Sequence, residues 1–546
     1  MNFLDWMVVV IYIIIILALA LFLTRKQKNT DDYYLGGRKI KWWQSGASTM
    51  ATQLGAISFV SAPAFVALKE GGGLKWLCYE FGVPLGLIPV MAIIIPVLHR
   101  HHYISIYEYL EDRFNGITRT LVSSLFQLGR GLATAVAVLA GGLILSTALS
   151  IQTTTAIILI GLITIIYDAL GGIKVVILSD FLQMMIIVIG ILICGGAALS
   201  LVGWEQAWTS LDPSHFKILD FSQWGFSSEG QYGFWPMVLG GFFLYISYYG
   251  TDQSQVQREL SVGNETNVKK SLLVNAFGRF PLVLSYCLMG VFVGAVLNQT
   301  FALEIIGQKL GMDPQAILVT LENDPDRMVP MFILSFLPHG IIGFIFVAIM
   351  AALMSSLDSG LNSLSAVTMR DYYQRYVRKS ATDSHYLVVS KLFTFGWGIF
   401  CVVTALLFYE LGDATRQTTI VLINAVGSML YGPILAAFSM GILSRRITAP
   451  AINLGIIGGI IQNFFLWQFT EISWLWWNVT GFMMSAILAY TLSFAGGAKS
   501  KMIPSSTMQE KIISPSEKNW VKIYLILGVY FILIIFISYL IQSLGD

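Results

Sequence analysis

The chain is 546 residues long, 56% hydrophobic and 12% charged, about half the charged fraction of an ordinary soluble protein, which excludes a soluble enzyme. With 33 Lys+Arg against 31 Asp+Glu the net charge is +2, so there is no basic field of the kind nucleic acid requires. A mean hydropathy of +0.71 makes lipid the solvent for so much apolar surface.

A helix needs about 20 apolar residues to cross a bilayer, and the sequence predicts fourteen such spans. They cover residues 3–24, 43–68, 76–99, 121–150, 154–170, 181–202, 234–251, 271–297, 340–367, 388–411, 418–443, 450–469, 472–494 and 523–544. The first follows no basic segment and precedes no small-residue cleavage site, so it reads as a retained span rather than a signal peptide. An even number puts both termini on one side, and the positive-inside rule chooses which. Loops on the side of residues 25–41 hold 24 Lys/Arg, Arg258 among them, and the opposite loops six, so both termini are expected outside the cytoplasm. Arg130, Arg279 and Lys391 fall within spans. Two long outer loops, about 203–233 and 298–339, have room for short helices over the outer mouth, and 495–519 reads as a Ser/Pro/Lys-rich linker. Cys78, Cys194, Cys287 and Cys401 are far apart in apolar stretches and read as small core residues.

Polar side chains at bilayer depth are costly, so each is a functional candidate. The second span reads Trp43-Gln44-Ser45-Gly46-Ala47-Ser48-Thr49-Met50-Ala51-Thr52-Gln53-Leu54-Gly55-Ala56-Ile57-Ser58, with Pro63 beyond. It is too polar and glycine-interrupted to face lipid. Either it is a discontinuous helix whose freed carbonyls face a cavity, or it is a tightly packed small-residue interface. In the ninth span Ala352, Ser355, Ser356, Ser359 and Ser363 share one face by i, i+3, i+4 spacing. Paired hydroxyls beside unwound carbonyls make an oxygen cage suited to a hard cation such as Na+. Asp180, with Gln183 three residues on, reads as a helix cap at the start of the sixth span or as a cation relay. Asp358 is the matching acid of the ninth span.

Several motifs occur in order: Asp32-Tyr33-Tyr34-Leu35-Gly36-Gly37-Arg38 with Trp42-Trp43 and Gly46-Ala47-Ser48; residues 107–114; residues 171–183; Gly250-Thr251-Asp252-Gln253-Ser254-Gln255-Val256-Gln257-Arg258; and Ser355-Ser356 through Asn362-Ser363 to Asp371-Tyr372. Together, over about residues 31–469, they resemble the solute:sodium symporter family, which includes sodium-coupled sugar, sialic acid, proline, iodide and vitamin transporters. The resemblance implies an all-α polytopic membrane protein with a leucine-transporter-type core of two inverted five-helix repeats. Here these are residues 31–203, spans two to six, and 234–469, spans seven to eleven. An extra span in 1–30, an outer loop at 204–233 and two further spans in 470–546 complete the chain.

The same resemblance implies a sodium site on the carbonyls of Ala51, Leu54 and Ala352 and the hydroxyls of Ser355 and Ser356. In members with a second sodium, the carboxylate matching Asp180 and the same serine pair take part. Sugar-transporting members place a Glu at Glu80 and an inner-gate Tyr at Tyr248, but where they read sugar hydroxyls this chain has Tyr245, and where they carry an asparagine- and glutamate-bearing stretch it has residues 52–58, with Gln53 and Ser58; both departures argue against a simple hexose. Sialic acid members carry a carboxylate-binding arginine in the region of Arg130, and a guanidinium fork suits a carboxylate. Arg279 falls where sugar members place a lysine. Two alternatives stand: Arg130 pairs internally with a buried acid such as Glu80 or Asp358, and Arg279 snorkels to the interface.

The expected function is sodium-coupled import of a small organic solute, a sugar, sialic acid or other carboxylate, by alternating access. Na+ is the co-transported ion and a monomer in the cell membrane is the working unit. A symporter of a small inorganic anion and a transporter-like sensor are the alternatives. An ATP-driven pump would need Gly-x-x-x-x-Gly-Lys-Ser/Thr, whose spacing Gly496-Gly497-Ala498-Lys499-Ser500 lacks.

Overall fold

A computed structural model describes residues 1–24, 27–149, 151–227, 230–411, 419–496 and 515–545. The apolar runs are helical because a helix satisfies its own backbone where no water can. In chain order the main helices are α1 (Phe3–Thr24), α2 (Trp42–Gln53), α3 (Ala56–Ala67), α4 (Leu74–Arg100), α5 (Gly116–Leu149), α6 (Thr153–Thr209), α7 (Gly241–Thr251), α8 (Gln253–Leu260) and α9 (Glu265–Leu297). After them come α10 (Ile341–Val367), α11 (Asp383–Glu410), α12 (Thr419–Leu443), α13 (Ala449–Phe469), α14 (Trp474–Ala495) and α15 (Pro515–Gln542). Among the described residues the extended pairing is a single bridge, Ile40 with Val262.

Among the described residues, eleven helical runs are long and apolar enough to cross a membrane, or twelve if the bent pair α2–α3 is one span. The predicted fourteen exceed this in two places. At 57 residues α6 would be about 85 Å long at 1.5 Å per residue, far more than one crossing of a core about 30 Å thick. It turns at Gly172, where φ is +59° and a Cβ would meet the Tyr33 ring and carbonyl at 2.6 Å. The other difference is α7, whose 11 residues are too few for a crossing on their own and follow directly on the π-helical turn Pro236–Gly240.

The Gly172 turn corrects one expectation. The second half of α6 begins there, so Asp180 lies two turns inside a helix and is not its cap.

Burial sorts the helices. In α9, 78% of the most apolar stretch is buried, and 83% in the run Ile341–Val377 that contains α10. The corresponding figures are 22% for α1 and 17% for α15, so α9 and α10 form the centre and α1 and α15 face lipid. Even so, α1 is anchored: the buried Asp5 carboxylate accepts the N–H groups of Gly340 (2.6 Å) and Gly343 (3.1 Å) at the start of α10, where the helix dipole favours negative charge.

The loop after α9 carries the expected short helices, Thr300–Leu310, Pro314–Asn323 and Met328–Phe336. It is tied to α3 by the Ser61 hydroxyl, which donates to Asp326 Oδ2 at 2.7 Å. Burial pushes the Asp326 carboxyl up to about 6. Below about pH 4 folded and unfolded chains both hold its proton; above pH 6 only the folded chain must bury the charge. Asp326→Asn is therefore expected to raise the melting temperature at pH 8 and leave it unchanged at pH 4. The predicted linker falls mainly on residues 497–514, outside the described residues.

Candidate functional site

The second span is broken. Helix α2 stops at Gln53, Leu54 takes φ −95° and ψ 67°, and the chain resumes as α3 after Gly55, with a bend of 51°. Gly55 sits there because a Cβ would lie 2.9 Å from Ser356 Oγ, so the break and the serine face of α10 touch. Gly55→Val is expected to separate them and lower the yield of folded protein, read as monodisperse material after detergent extraction.

Oxygens gather at this contact. Ser355 Oγ donates to the carbonyls of Ala51 (3.3 Å) and Ala352 (3.1 Å). Ser356 Oγ donates to those of Thr52 (3.3 Å) and Ala352 (3.3 Å). Two of these are the i−3 and i−4 bonds of a helical serine, and the other two reach across to the broken helix, so hydroxyl and carbonyl oxygens of both helices share one place. Ala51, Ala352, Ser355 and Ser356 come together, Leu54 forms the break itself, and Thr52 joins them through its carbonyl.

Beside the cluster lies a cavity of about 180 Å³. Its wall includes Gln53, Ser58, Glu80, Arg130, Tyr245, Tyr248 and Arg279, together with Trp76, Tyr79, Tyr286, Tyr431 and the cluster residues Thr52, Gly55 and Ser356. The seven residues expected around the solute thus share one wall. Four buried polar atoms on it have no partner among the described residues: Gln53 Nε2, Tyr79 OH, Tyr245 OH and Arg279 Nη1. Gln53 Oε1 is held by the Tyr249 hydroxyl at 3.1 Å, which leaves its amide hydrogens free to donate.

Both arginines are internally paired. Arg279 is 6% exposed and lies mid-helix in α9, so it does not snorkel; its Nε and Nη2 donate to Glu80 at 2.9 and 3.2 Å. Arg130 pairs with Asp252, not with Glu80 or Asp358. Asp358 instead accepts from the Tyr167 hydroxyl at 2.6 Å.

Asp180 lies behind the cluster, where Ser48 Oγ donates to its Oδ2 at 2.5 Å and Arg258 Nη2 at 3.1 Å. Arg258 also donates to Ser359, whose hydroxyl exchanges a hydrogen bond with that of Thr52 at 2.9 Å. The loop reading of Arg258 is corrected: it is 1% exposed because all eight residues of α8 are buried. Two central residues went unassigned from sequence, Arg258 and Asp252. Asp252 carried a signal, since an Asp four positions after the expected tyrosine gate, able to cap the N–H of Ser254, marks a second helix break.

The profile of the Sodium:solute symporter family matches residues 33–459, and the chain belongs to that family of integral membrane carriers. It is 28% identical over 529 residues to the sodium/sialic acid symporter NanT of Aliivibrio fischeri, covering 94% of this chain and 98% of the relative. To the human sodium/iodide cotransporter it is 25% identical over 445 residues, covering 81% of this chain and 65% of that protein. The solved structure of a substrate-bound, outward-open Na+-coupled sialic acid symporter aligns with a TM-score of 0.79 at 24% identity, covering 92% of this chain and 100% of the other. The fold is the all-α, leucine-transporter-type fold, and the protein binds Na+ and a solute.

Proposed function

We propose that this symporter imports a polar solute of about monosaccharide size across the cell membrane, coupled to Na+ by alternating access. The observation that carries the reading is shared ownership: Thr52, Gly55 and Ser356 belong both to the oxygen cluster and to the cavity wall. A cation held on Ala51, Leu54, Ala352, Ser355 and Ser356 fixes the broken helix against α10 and so completes the wall the solute meets. Coupling needs only that both ligands favour the same conformation. At about 100 mV, inside negative, one Na+ contributes roughly 2.3 kcal/mol, and a tenfold gradient adds about 1.4 kcal/mol.

The solute size follows from the cavity. A pocket of about 150 Å³ holds benzene, so 180 Å³ suits one substituted ring or a short carboxylate better than a nine-carbon sialic acid, the substrate named for two of the relatives. Gln53, Tyr79, Tyr245 and Arg279 supply hydrogen bonds to its oxygens, and Ser58, Glu80, Tyr248 and Arg130 complete the surround. Asp180 and Asp358 are the residues for a second cation or relay. The repeats are residues 31–203 and 234–469, the unit is a monomer, and both termini are extracytoplasmic. The test is uptake into proteoliposomes of hexoses, short carboxylates and sialic acid under inward Na+ or K+ gradients. Uptake of a hexose or short carboxylate in Na+ alone is the expected result; equal uptake in K+ would end the reading.

A further inference from the structure

A second, smaller cavity of about 20 Å³ adjoins the first, and the two share Arg130, Ala133 and Tyr431. Along α5 the larger cavity uses Ala133, Thr134 and Ala137, and the smaller uses Leu125, Phe126 and Gly129. The smaller cavity therefore lies toward the end of α5 near Arg113 and Arg119, the basic side and so the cytoplasmic one. The ion pair between Arg130 and Asp252 stands at the partition. Asp252 occupies the break between α7 and α8, with φ −94° and ψ 120°. Its Oδ1 accepts the Ser254 N–H (2.8 Å) and hydroxyl (2.6 Å), holding the start of α8, while its Oδ2 takes Arg130 of α5. The Tyr431 hydroxyl of α12 lies 3.5 Å from both partners, and the Arg130 guanidinium stacks 5.6 Å from the centre of the Tyr248 ring. Three elements meet in one charged knot where the two cavities adjoin.

We propose that the Arg130–Asp252 pair is the inner barrier to solute release, broken once per transport cycle when the α7–α8 break moves away from α5. The inference rests on the symport reading. A charged latch suits a barrier that opens to water. When closed, each charge is neutralised at 15% and 4% side-chain exposure; when open, both are hydrated, so neither state strands a buried charge. An apolar plug would instead expose hydrophobic surface on opening. A break between two helix segments is also the kind of point where a small dihedral change moves one segment against its neighbours.

The test is labelling of a cysteine at Ala133, which lines both cavities, from the cytoplasmic face of inside-out vesicles with a membrane-impermeant cationic methanethiosulfonate in saturating Na+. The four native cysteines are buried, and the chain without the added cysteine is the background control. Asp252→Asn and Arg130→Gln should each speed labelling by about tenfold or more, the effect of 1.4 kcal/mol on an equilibrium. The exchange Arg130→Asp with Asp252→Arg should slow it again, a recovery that loss of folding could not produce. If one single variant fails to reach the membrane, the other carries the test. Labelling at the unaltered rate in the single variants, with only solute affinity lowered, would overturn the latch and leave Arg130 a solute ligand. Labelling of the Ala133→Cys chain that ignores Na+ would instead count against sodium coupling, while the difference between variants still decides the latch.

Discussion

Replacing Ser355 and Ser356 together by alanine is expected to abolish Na+-stimulated uptake while the protein still inserts and folds. Magnitudes separate the two effects. Each hydroxyl donates to carbonyls of α2 and α10, and a neutral hydrogen bond is worth about 1 kcal/mol net. The double variant therefore loses about 2 kcal/mol of stability, within the margin of a typical domain. The cation loses two oxygen ligands. If each is worth what a hydrogen bond to a charged group is, about 1.5–3 kcal/mol, affinity falls by about 10²- to 10⁴-fold. The single variants differ in kind: Ser356 also lines the solute cavity, so Ser356→Ala should raise KM for solute and for Na+ together, whereas Ser355→Ala should act on Na+ first. Uptake against Na+ concentration in proteoliposomes reads both. An unchanged Na+ dependence in the double variant would remove the serine pair from the cation site.

The sequence made this site legible because its signals are local. A Gly inside a polar span and two serines on one helical turn each follow from backbone and spacing rules, and in the folded chain Gly55 meets Ser356 where those rules place the break. The charge partners were not legible. Arg130 and Asp252 are 122 positions apart, as are many wrong pairs, and spacing rules cannot choose among them. Arg258 looked like a loop cation because α8 is polar, yet α8 is buried between helices distant in sequence. The boundary inside α6 was missed for a similar reason. Hydropathy divides residues 153–209 into two apolar stretches and places the second start near Phe181, whereas the chain turns at Gly172, where close contact with Tyr33 requires a residue without a Cβ.

The Glu80–Arg279 pair should show the second large effect, through a split between stability and binding. Glu80 is 1% exposed and Arg279 6%, joined by two hydrogen bonds. Removing one member of such a pair leaves a bare buried charge and costs about 3–5 kcal/mol, so Arg279→Gln and Glu80→Gln alone should each sharply lower the melting temperature of the detergent-solubilised protein. The double variant carries no buried charge, and its neutral amides can bond to each other, so its stability should recover most of the loss, because replacing a whole buried pair is often close to neutral. Solute binding should not recover with it. Arg279 Nη1 faces the described structure without a partner, and a glutamine is too short to present that donor to the cavity. Stability restored without uptake would make the pair part of the solute site as well as of the frame. A double variant that transports normally would reduce it to packing, and single variants as stable as the parent would mean that water or solute already reaches the charge, which contradicts its burial.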